Sequence, residues 1–393
     1  MPLLRRMPYG GPLAIGLACA ALALTWQALT VRYNYGGNWT GLFCTGANQR
    51  IPGDLLSEKI YALPASDGFD GQFYHYIAHD PLARTELHTF VDSPRLRYGR
   101  ILVPGLAFVL AAGRARYIDA AYYTVVLLFV FLGGYWLSRF AVFHQRHAAW
   151  GLLFMTFPSV LTSIDRMTVD VALAALWAGF AVYVARGLRW QLYLLLAAAP
   201  LVRETGLVMI AACCLWALWH KDVTRAVRSV AAVVPYLDWH LYLQQSLSPD
   251  VSPWVAFQFR GLFAAIVHPF PYPWSTAVTR VVIAADYMAA AGALAAIILS
   301  FRLGVKKSCG LLEFATVLEG AAASVLVPFG SWDLWVHVYG YARVLSPLFI
   351  LLALRSLSRR SWRDLLPIPL LMPRIGLQFH GQVLTVLRGV LSL

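Results

Sequence analysis

Residues 67–81 concentrate groups that can do chemistry, within a chain that is otherwise rich in Leu, Ala and Val. The segment, DGFDGQFYHYIAHDP, holds three aspartates, two histidines and two tyrosines. A carboxylate acts as a general base when it lies within hydrogen-bonding distance of the group that it deprotonates. We therefore take Asp70 as the first candidate base, with Asp67 and Asp80 as the alternatives.

The same segment predicts a short helix over 71–79, which gives Asp70 a structural alternative. As the N-cap, the Asp70 side chain would accept a hydrogen bond from the amide of Gln72 or Phe73. The two interpretations are compatible, because a cap residue can also face a cleft. Gln72 and Tyr74 are expected to line the same site.

His75 and His79 are four residues apart, a spacing that occurs in metal sites, and Asp80 follows them directly. The sequence offers no further clear ligand set. We therefore expect hydrogen-bonded histidines that line the site near the membrane surface. No residue is assigned as a metal ligand, and a divalent metal is kept as the alternative.

Arginines near the ends of apolar segments allow two interpretations. Arg97 and Arg100 are three residues apart on a predicted short helix, and Arg343 begins another apolar segment. Each can contact lipid head groups, or each can bind a phosphate through two guanidinium donors. The Arg203-Glu204 pair can likewise be a structural ion pair that closes a helix turn.

Composition places these residues in a membrane protein. The chain has 393 residues, of which 59% are hydrophobic and 13% are charged. The charged fraction is about half that of a soluble protein, and apolar runs of about 15–23 residues recur. The formal net charge of +13 fits cytoplasmic loops rich in Arg, so we expect no nucleic-acid partner. The five cysteines form no disulfide or metal-binding spacing.

We predict an all-α polytopic membrane protein, a single membrane domain over 1–393 with about ten spans and both termini in the cytoplasm. Alternate loops are basic, as the positive-inside rule requires. The spans are expected at 11–31, 118–137, 148–163, 168–185, 190–202, 205–219, 227–243, 278–300, 311–329 and 342–354.

Two segments allow alternatives. The apolar run 101–113 is too short for an ordinary span, so we place it along the membrane surface. A single span over 190–219 would bury an ion pair at the midplane, at a cost of several kcal/mol, so we expect two short helices. The outer first loop then covers 32–117 with surface helices, and 364–393 forms a cytoplasmic interfacial tail. Asp170 and His337 join the residues expected on the outer face.

Four short patches, FDGQFYHYIAHDP, RLRYGRILVPGLA, LVRETGL and YARVLSPLFILLAL, resemble signatures of a group of bacterial multi-span membrane proteins. That group is similar to the membrane-embedded glycosyltransferases of the C fold type (GT-C), including the GPI mannosyltransferases with a Trp-Asp-Gly motif in the first loop. The layout is also similar, because one span precedes a large outer loop with an acidic motif and then a helical bundle.

The resemblance implies a first-loop aspartate that activates an acceptor hydroxyl, and a polyprenyl-phosphate sugar as the donor. Asp70 would be the base, although Phe69 stands where the family's motif has Trp or Tyr. An Asp-Asp or Asp-Glu pair is absent, which leaves Asp67 open as the base. The matched patches also contain Arg203, Glu204 and Arg343.

We therefore expect a glycosyltransferase of the bacterial inner membrane that acts on its extracytoplasmic face on an unknown acceptor. The donor phosphate would be bound by Arg97, Arg100, Arg203 and Arg343, with Asp170, Glu204 and His337 lining the site. The sequence has no Gly-rich nucleotide-binding loop, which is consistent with a lipid-linked donor. Two rivals are a transporter or flippase, and a non-catalytic membrane assembly protein.

Overall fold

A computed structural model describes residues 10–187, 190–250, 260–302, 304 and 309–391. These ranges are mostly helical, and their only strands are β1, Thr45–Gly46, and β2, Ala62–Leu63, which pair in parallel. The prediction of an all-α fold is confirmed.

The described helices are numbered in chain order. The N-terminal half contains α1 Gly10–Asn34, α2 Asp70–His79, α3 Pro94–Gly99, α4 Leu102–Leu110, α5 Ala115–Phe143, α6 Pro158–Arg166, α7 Asp170–Ala185, α8 Trp190–Val202 and α9 Leu207–Trp219. The C-terminal half contains α10 Val223–Ala231, α11 Val234–Ser246, α12 Arg260–Val267, α13 Thr276–Ser300, α14 Leu311–Ser324, α15 Leu326–Phe329, α16 Trp332–Val336, α17 Val338–Val344, α18 Ser346–Arg359, α19 Pro367–Gln378 and α20 His380–Val390. The 3₁₀ helices are Trp39–Phe43, Gly53–Glu58, Glu86–Phe90, Ala148–Thr156, Glu204–Gly206 and Trp362–Leu365.

Fewer helices are long and apolar enough to cross a membrane than the ten that we expected. Among the described residues, α1, α5, α13 and the continuous α14–α15 segment qualify by length and composition. Two further pairs qualify as broken spans: Ala148–Thr156 with α6, bent by 65°, and α17 with α18, bent by 55°. The structure therefore supports four spans, or six when each bent pair counts as one.

Helix length and proline explain the difference. The helices α7, α8 and α9 have 16, 13 and 13 residues, which at 1.5 Å per residue falls short of the ~30 Å hydrocarbon core. The expected span 227–243 is divided between α10 and α11, and Pro235 lies in the first turn of α11. Pro158 and Pro347 likewise begin α6 and α18 after the two bends, because proline is tolerated in a first helical turn but interrupts a continuous helix.

The long helix α5 lies at the centre and packs against α1, α4 and α7. Two adjacent glycines, Gly133 and Gly134, allow this close packing. A Cβ atom on Gly133 would lie 2.0 Å from Cζ of Phe154, and one on Gly134 would lie 2.6 Å from Sγ of Cys19. Small residues at such contacts let helix backbones approach closely.

The segment between α1 and α5 contains the helices that hold the first candidate residues. It folds into the short helices α2, α3 and α4, and α2 packs against both α4 and α5. With nine residues, α4 is ~14 Å long and cannot cross a membrane. The segment 35–114 therefore does not cross a membrane, and the start of α2 lies at one end of the long helices.

The C-terminal tail lies at the opposite end of α1 from the one that we expected. Asn34, the last residue of α1, donates from Nδ2 to the Gln382 carbonyl (3.4 Å), and Gln382 Nε2 donates to the Tyr35 hydroxyl (3.3 Å). Gly10 begins α1 ~37 Å away. The helix α19 runs back along α13 and carries the tail there. We expected 364–393 and the chain start to share the cytoplasmic face, whereas the tail lies beside the end of α1 that is distant from Gly10; the membrane face of each stays a prediction.

The glycine contact on α5 can be tested by adding one methyl group. We expect Gly133→Ala to lower the free energy of unfolding by about 1–3 kcal/mol, because fully buried Phe154 has no room to move. Gly376→Ala is the matched control, since that helical glycine has no neighbouring atom within 4 Å of the added Cβ. It should be neutral or stabilising by up to about 1 kcal/mol. Thermal unfolding in detergent measures both, and equal stability of the two variants would contradict the packing argument.

Candidate functional site

Asp70 lies at the start of α2 between two arginines. Its Oδ2 is 3.0 Å from Nη1 of Arg97 and 2.7 Å from Nη2 of Arg343. The interpretation of Asp70 as a helix N-cap is wrong, because Phe69 occupies that position with extended backbone and Asp70 is the first helical residue. Its carboxylate is thus engaged by side chains from distant parts of the chain.

The two arginines continue into a series of alternating charges. Arg97 also forms a two-pronged pair with Asp92, in which both bonds are 2.9 Å. Arg343 places Nε 3.6 Å from Oδ2 of Asp170. Asp170 in turn forms an ion pair with Nη1 of Arg203.

The series ends at a tyrosine of α2. Arg203 Nε lies 3.8 Å from Oε1 of Glu204, so the adjacent residues are not each other's nearest partners. Glu204 instead accepts two bonds from Arg100, at 3.0 and 2.7 Å, and Arg100 Nη1 donates to the Tyr74 hydroxyl at 3.1 Å. We define the arginine cluster as Asp92, Arg97, Asp70, Arg343, Asp170, Arg203, Glu204, Arg100 and Tyr74.

Helix ends position these charges. Asp70 and Asp170 are the first residues of α2 and α7. Arg97 and Arg343 lie in the last turns of α3 and α17. Because a helix carries partial positive charge at its N-terminus and partial negative charge at its C-terminus, each group lies where the backbone stabilises its charge. Helix N-termini thus meet the carboxylates of the arginine cluster, and helix C-termini meet its arginines.

The cluster contains four arginines and four carboxylates, so its formal charges cancel. Burial raises the pKa of Asp70, but the guanidinium groups of Arg343 and Arg97 outweigh it and hold that pKa well below its usual range. Asp70 is therefore ionised at neutral pH. It becomes a stronger base only when another anion takes over the attraction of these arginines.

Several atoms of the arginine cluster keep unused hydrogen-bonding capacity. Within the part of the chain that the structure describes, Nε of Arg203 and Nε of Arg343 are buried and have no hydrogen-bond partner. Both ion pairs of Asp70 there involve Oδ2. The cluster can thus offer two N–H donors to an anion and a carboxylate oxygen to a hydroxyl group.

The other acidic and amide candidates of 67–81 lie outside the arginine cluster. Asp67 is exposed and accepts from Asn48 Nδ2 at 3.2 Å. Gln72 accepts from the Gly46 amide at 3.1 Å and donates to the Asp67 carbonyl at 2.9 Å, so it braces the loop. Asp80, at the end of α2, accepts amides of the following turn at 3.0 and 2.7 Å. The hydrogen bonds of Gln72 are with the backbone, and Asp80 also accepts from the Thr85 hydroxyl at 2.8 Å.

The two histidines converge with two carboxylates that the sequence analysis missed. We define the histidine cluster as Glu58, His75, His79 and Asp119, whose ligand atoms all lie within 4.8 Å of one another. Burial lowers the pKa of His75, but Asp119 and Glu58 outweigh it and raise it to about 9. Burial and the neighbouring His75 lower the pKa of His79 to about 4. Only the i,i+4 histidine spacing could have signalled this site.

His337 lies in a different place, a cavity of about 400 Å³ that we call the aromatic pocket. Its walls include Phe69, Arg166, Tyr339 and residues of the tail helix α19. The Arg166 guanidinium lies 3.6 Å from the ring centroid of Phe69 and 4.8 Å from that of Tyr339. Since Phe69 directly precedes Asp70, the aromatic pocket adjoins the arginine cluster.

A separate apolar groove of about 270 Å³ lies against α1. We define the groove by Trp26, Leu161, Phe379 and Val383. The Phe379 ring contacts the Trp26 ring, with centroids 5.8 Å apart, and the Tyr339 ring of the aromatic pocket at 5.9 Å. Groove, pocket and arginine cluster therefore form a continuous series of contacts.

Comparison of the chain with protein-family models, curated proteins and solved structures finds no match. An assignment of function therefore depends on the geometry of these three adjoining regions.

The ion pairs of Asp70 predict a pH-dependent stability. We expect Asp70→Asn to lower the free energy of unfolding at pH 7 by about 1–3 kcal/mol, because it leaves two buried arginines short of a negative charge. The pKa of Asp70 is lower in the folded protein than in the unfolded protein, where it is about 4. The ionised carboxylate therefore stabilises the fold above pH ~4, and this stabilisation is lost as the pH falls below that value. The difference in free energy of unfolding between the wild-type protein and Asp70→Asn should therefore shrink by about 1 kcal/mol between pH 5 and pH 3.

Thermal unfolding in detergent across this pH range measures the effect. Asp54→Asn is the control, since Asp54 is an exposed aspartate of the same loop, and its variant should follow the wild-type curve. A deficit that stays constant down to pH 3 would contradict the ion-pair argument.

Proposed function

We propose that this protein is a membrane glycosyltransferase that moves a sugar from a polyprenyl-phosphate donor to an acceptor hydroxyl, with Asp70 as the general base. One observation carries the proposal. A carboxylate that can accept a proton and arginines with unused donors lie side by side at the end of a membrane helix bundle. A sugar transfer from a lipid phosphate needs both groups in one place.

In the proposed reaction, the donor phosphate binds the unused Nε donors of Arg203 and Arg343. This anion draws positive charge away from Asp70, whose pKa then rises toward its ordinary value. The acceptor hydroxyl donates to Oδ1 of Asp70, and the acceptor oxygen forms a bond to the anomeric carbon. The bond from that carbon to the phosphate oxygen breaks, its electron pair stays on the phosphate, and the hydroxyl proton passes to Asp70.

The apolar groove supports a lipid-linked donor. Its α1 lining includes Leu22, which is 56% exposed, and Leu13 and Leu17 of the same helix are exposed as well, as expected of a helix that faces lipid. A polyprenyl chain in the groove would bring its phosphate past Phe379 and Tyr339 toward Arg166 and the start of α2. The donor would thus enter from the bilayer and the acceptor from the aqueous side.

The finer topology is part of the proposal. Although α7, α8 and α9 are shorter than the ~30 Å hydrocarbon core, they and the α10–α11 pair would add four crossings to the six described above, giving ten, because a short hydrophobic segment can cross where the bilayer thins locally. Support comes from the chain order, because Asp170 at the start of α7 and Arg203 after the end of α8 meet in the arginine cluster, where Asp170 also contacts Arg343. The positive-inside rule places the chain start in the cytoplasm of a bacterial cell and the arginine cluster on the extracytoplasmic face. After ten crossings α18 ends on the cytoplasmic side, and α19, which runs back along α13, returns the tail to the extracytoplasmic end of α1.

A transporter or flippase is the second candidate, because of the two bent helix pairs. Transporters bind substrates where broken helices expose polar groups. Arg166 ends α6, the second half of one bent pair, and Arg343 lies beside the bend of the other. Both candidates use the same anion-binding groups, and they differ in whether a bond to the sugar is broken.

The decisive variant is Asp70→Asn. We expect it to slow the release of polyprenyl phosphate from a labelled polyprenyl-phosphate hexose by about 10²- to 10⁴-fold, since it removes the general base. The assay uses purified protein in liposomes of bacterial lipids, and Asp54→Asn serves as the control with wild-type activity. Loss of activity in Asp67→Asn but not in Asp70→Asn would identify Asp67 as the general base.

Flipping of the same labelled lipid across the liposome membrane is measured in parallel. Flipping without release in the wild-type protein would refute the transferase and favour the second candidate. Full release by an Asp67 and Asp70 double variant would refute the base mechanism.

The groove can be tested by filling it. We expect Val383→Trp to raise KM for the polyprenyl-phosphate donor about tenfold with little change in kcat, because it removes binding that ground and transition states share. Val390→Trp is the matched control, since Val390 is an exposed valine of the same helix and lies outside the groove. Steady-state kinetics of both variants measure the effect, and equal KM values would show that the polyprenyl chain does not bind in the groove.

A further inference from the structure

The histidine cluster joins three elements that are distant in sequence. Glu58 ends the 3₁₀ helix Gly53–Glu58, His75 and His79 lie one turn apart on α2, and Asp119 lies near the start of α5. Each residue offers one ligand atom, and the four atoms lie within 4.8 Å of one another. Metal sites in proteins have this form, with imidazole nitrogens and carboxylate oxygens converging from several elements.

The separations of these atoms match one coordination geometry. The two Nε2 atoms of His75 and His79 are 3.3 Å apart; His75 Nε2 lies 3.4 Å from Oε2 of Glu58, and His79 Nε2 lies 3.4 Å from Oε1. Zinc-to-nitrogen bonds of about 2.0–2.1 Å place tetrahedral ligands about 3.3 Å from one another. Asp119 Oδ1, 2.7 Å from Nε2 of His75, provides the fourth ligand with a small shift.

Hydrogen bonds within the described part of the chain do not provide a partner for every polar atom of these four side chains. His75 is fully buried, and its Nε2 faces another imidazole nitrogen and two carboxylates at once. In the described part of the chain, Glu58 Oε2 is buried without a hydrogen-bond partner. Buried charges in proteins are paired or coordinate metals, and a divalent cation would balance both carboxylates here.

We propose that Glu58, His75, His79 and Asp119 bind one Zn²⁺ ion. Two imidazoles and two carboxylates suit zinc better than Mg²⁺ or Ca²⁺, which prefer oxygen ligands in larger numbers. Four protein ligands leave no open position, which is typical of structural zinc sites. The Phe43 ring, stacked on His75 with centroids 4.0 Å apart, holds one ligand in orientation.

The proposed ion has a positioning role. It ties the first-loop segment and α2 to the long helix α5, and α2 begins with Asp70. Zinc binding would therefore fix the end of α2 that meets the arginine cluster, without contacting the reacting groups. The site is independent of the proposed transferase activity, because it follows from the ligand geometry alone.

The test uses the full-length protein, purified in detergent without chelators. Elemental analysis should find about one Zn²⁺ per chain, and removal with EDTA should lower the melting midpoint by about 5 °C, which added Zn²⁺ restores. His79→Ala should retain less than a fifth of the zinc. His88→Ala is the matched control, because this histidine of the same loop bonds only the Thr85 carbonyl among the described residues and should retain all of it.

A second measurement keeps the proposal testable if the His79 variant fails to fold. Co²⁺ added to the EDTA-treated wild-type protein should give the visible absorption of a tetrahedral complex, and Zn²⁺ should abolish it. Three results would overturn the proposal: less than ~0.1 zinc per chain after incubation with stoichiometric Zn²⁺ and dialysis, equal zinc in the His79 and His88 variants, or tight binding of Mg²⁺ or Mn²⁺ in place of zinc.

Discussion

A guanidinium group that leaves water must keep a negatively charged partner, and in this protein four arginines impose that requirement at one place. None of their side chains is more than 17% exposed. Each pairs with a carboxylate from another part of the chain, such as Arg100 with Glu204 and Arg343 with Asp70. Helices α2, α3, α7 and α17 therefore begin or end where these charges meet, and the bundle is organised around them.

The same pairing determines how the proposed site would respond to a ligand. A cluster in which arginines and carboxylates cancel has no strong attraction for a neutral molecule, but an entering phosphate competes for Arg343 and Arg203. Each arginine that shifts toward the phosphate leaves Asp70 with less stabilising positive charge, so donor binding and proton affinity of the base are coupled. In the proposed mechanism, Asp70 would therefore act as a base only with a bound anion, which would limit proton transfer in the absence of donor.

The sequence drew attention to most of the ionisable residues that meet in the arginine cluster, because charges in an apolar chain are rare. It could not predict the pairing. Arg203 and Glu204 are adjacent in sequence, yet their closer partners are Asp170 and Arg100, which only the fold brings near. Asp119 was missed because a single acid near the start of an apolar helix has no periodic signal. The hydropathy pattern likewise gave no indication of the bends that precede Pro158 and Pro347.

The position of the tail extends this argument from residues to topology. Positive charge counts predicted the sides of the loops but could not show that α19 runs back along α13, where Arg374 contacts Asp286 and the Tyr272 hydroxyl at 2.9 Å. Arg374 and Tyr272 line the aromatic pocket together with His337. The C-terminal residues are therefore part of the pocket that adjoins Asp70, and a chain shortened before α19 would lose one wall of that pocket while retaining the arginine cluster.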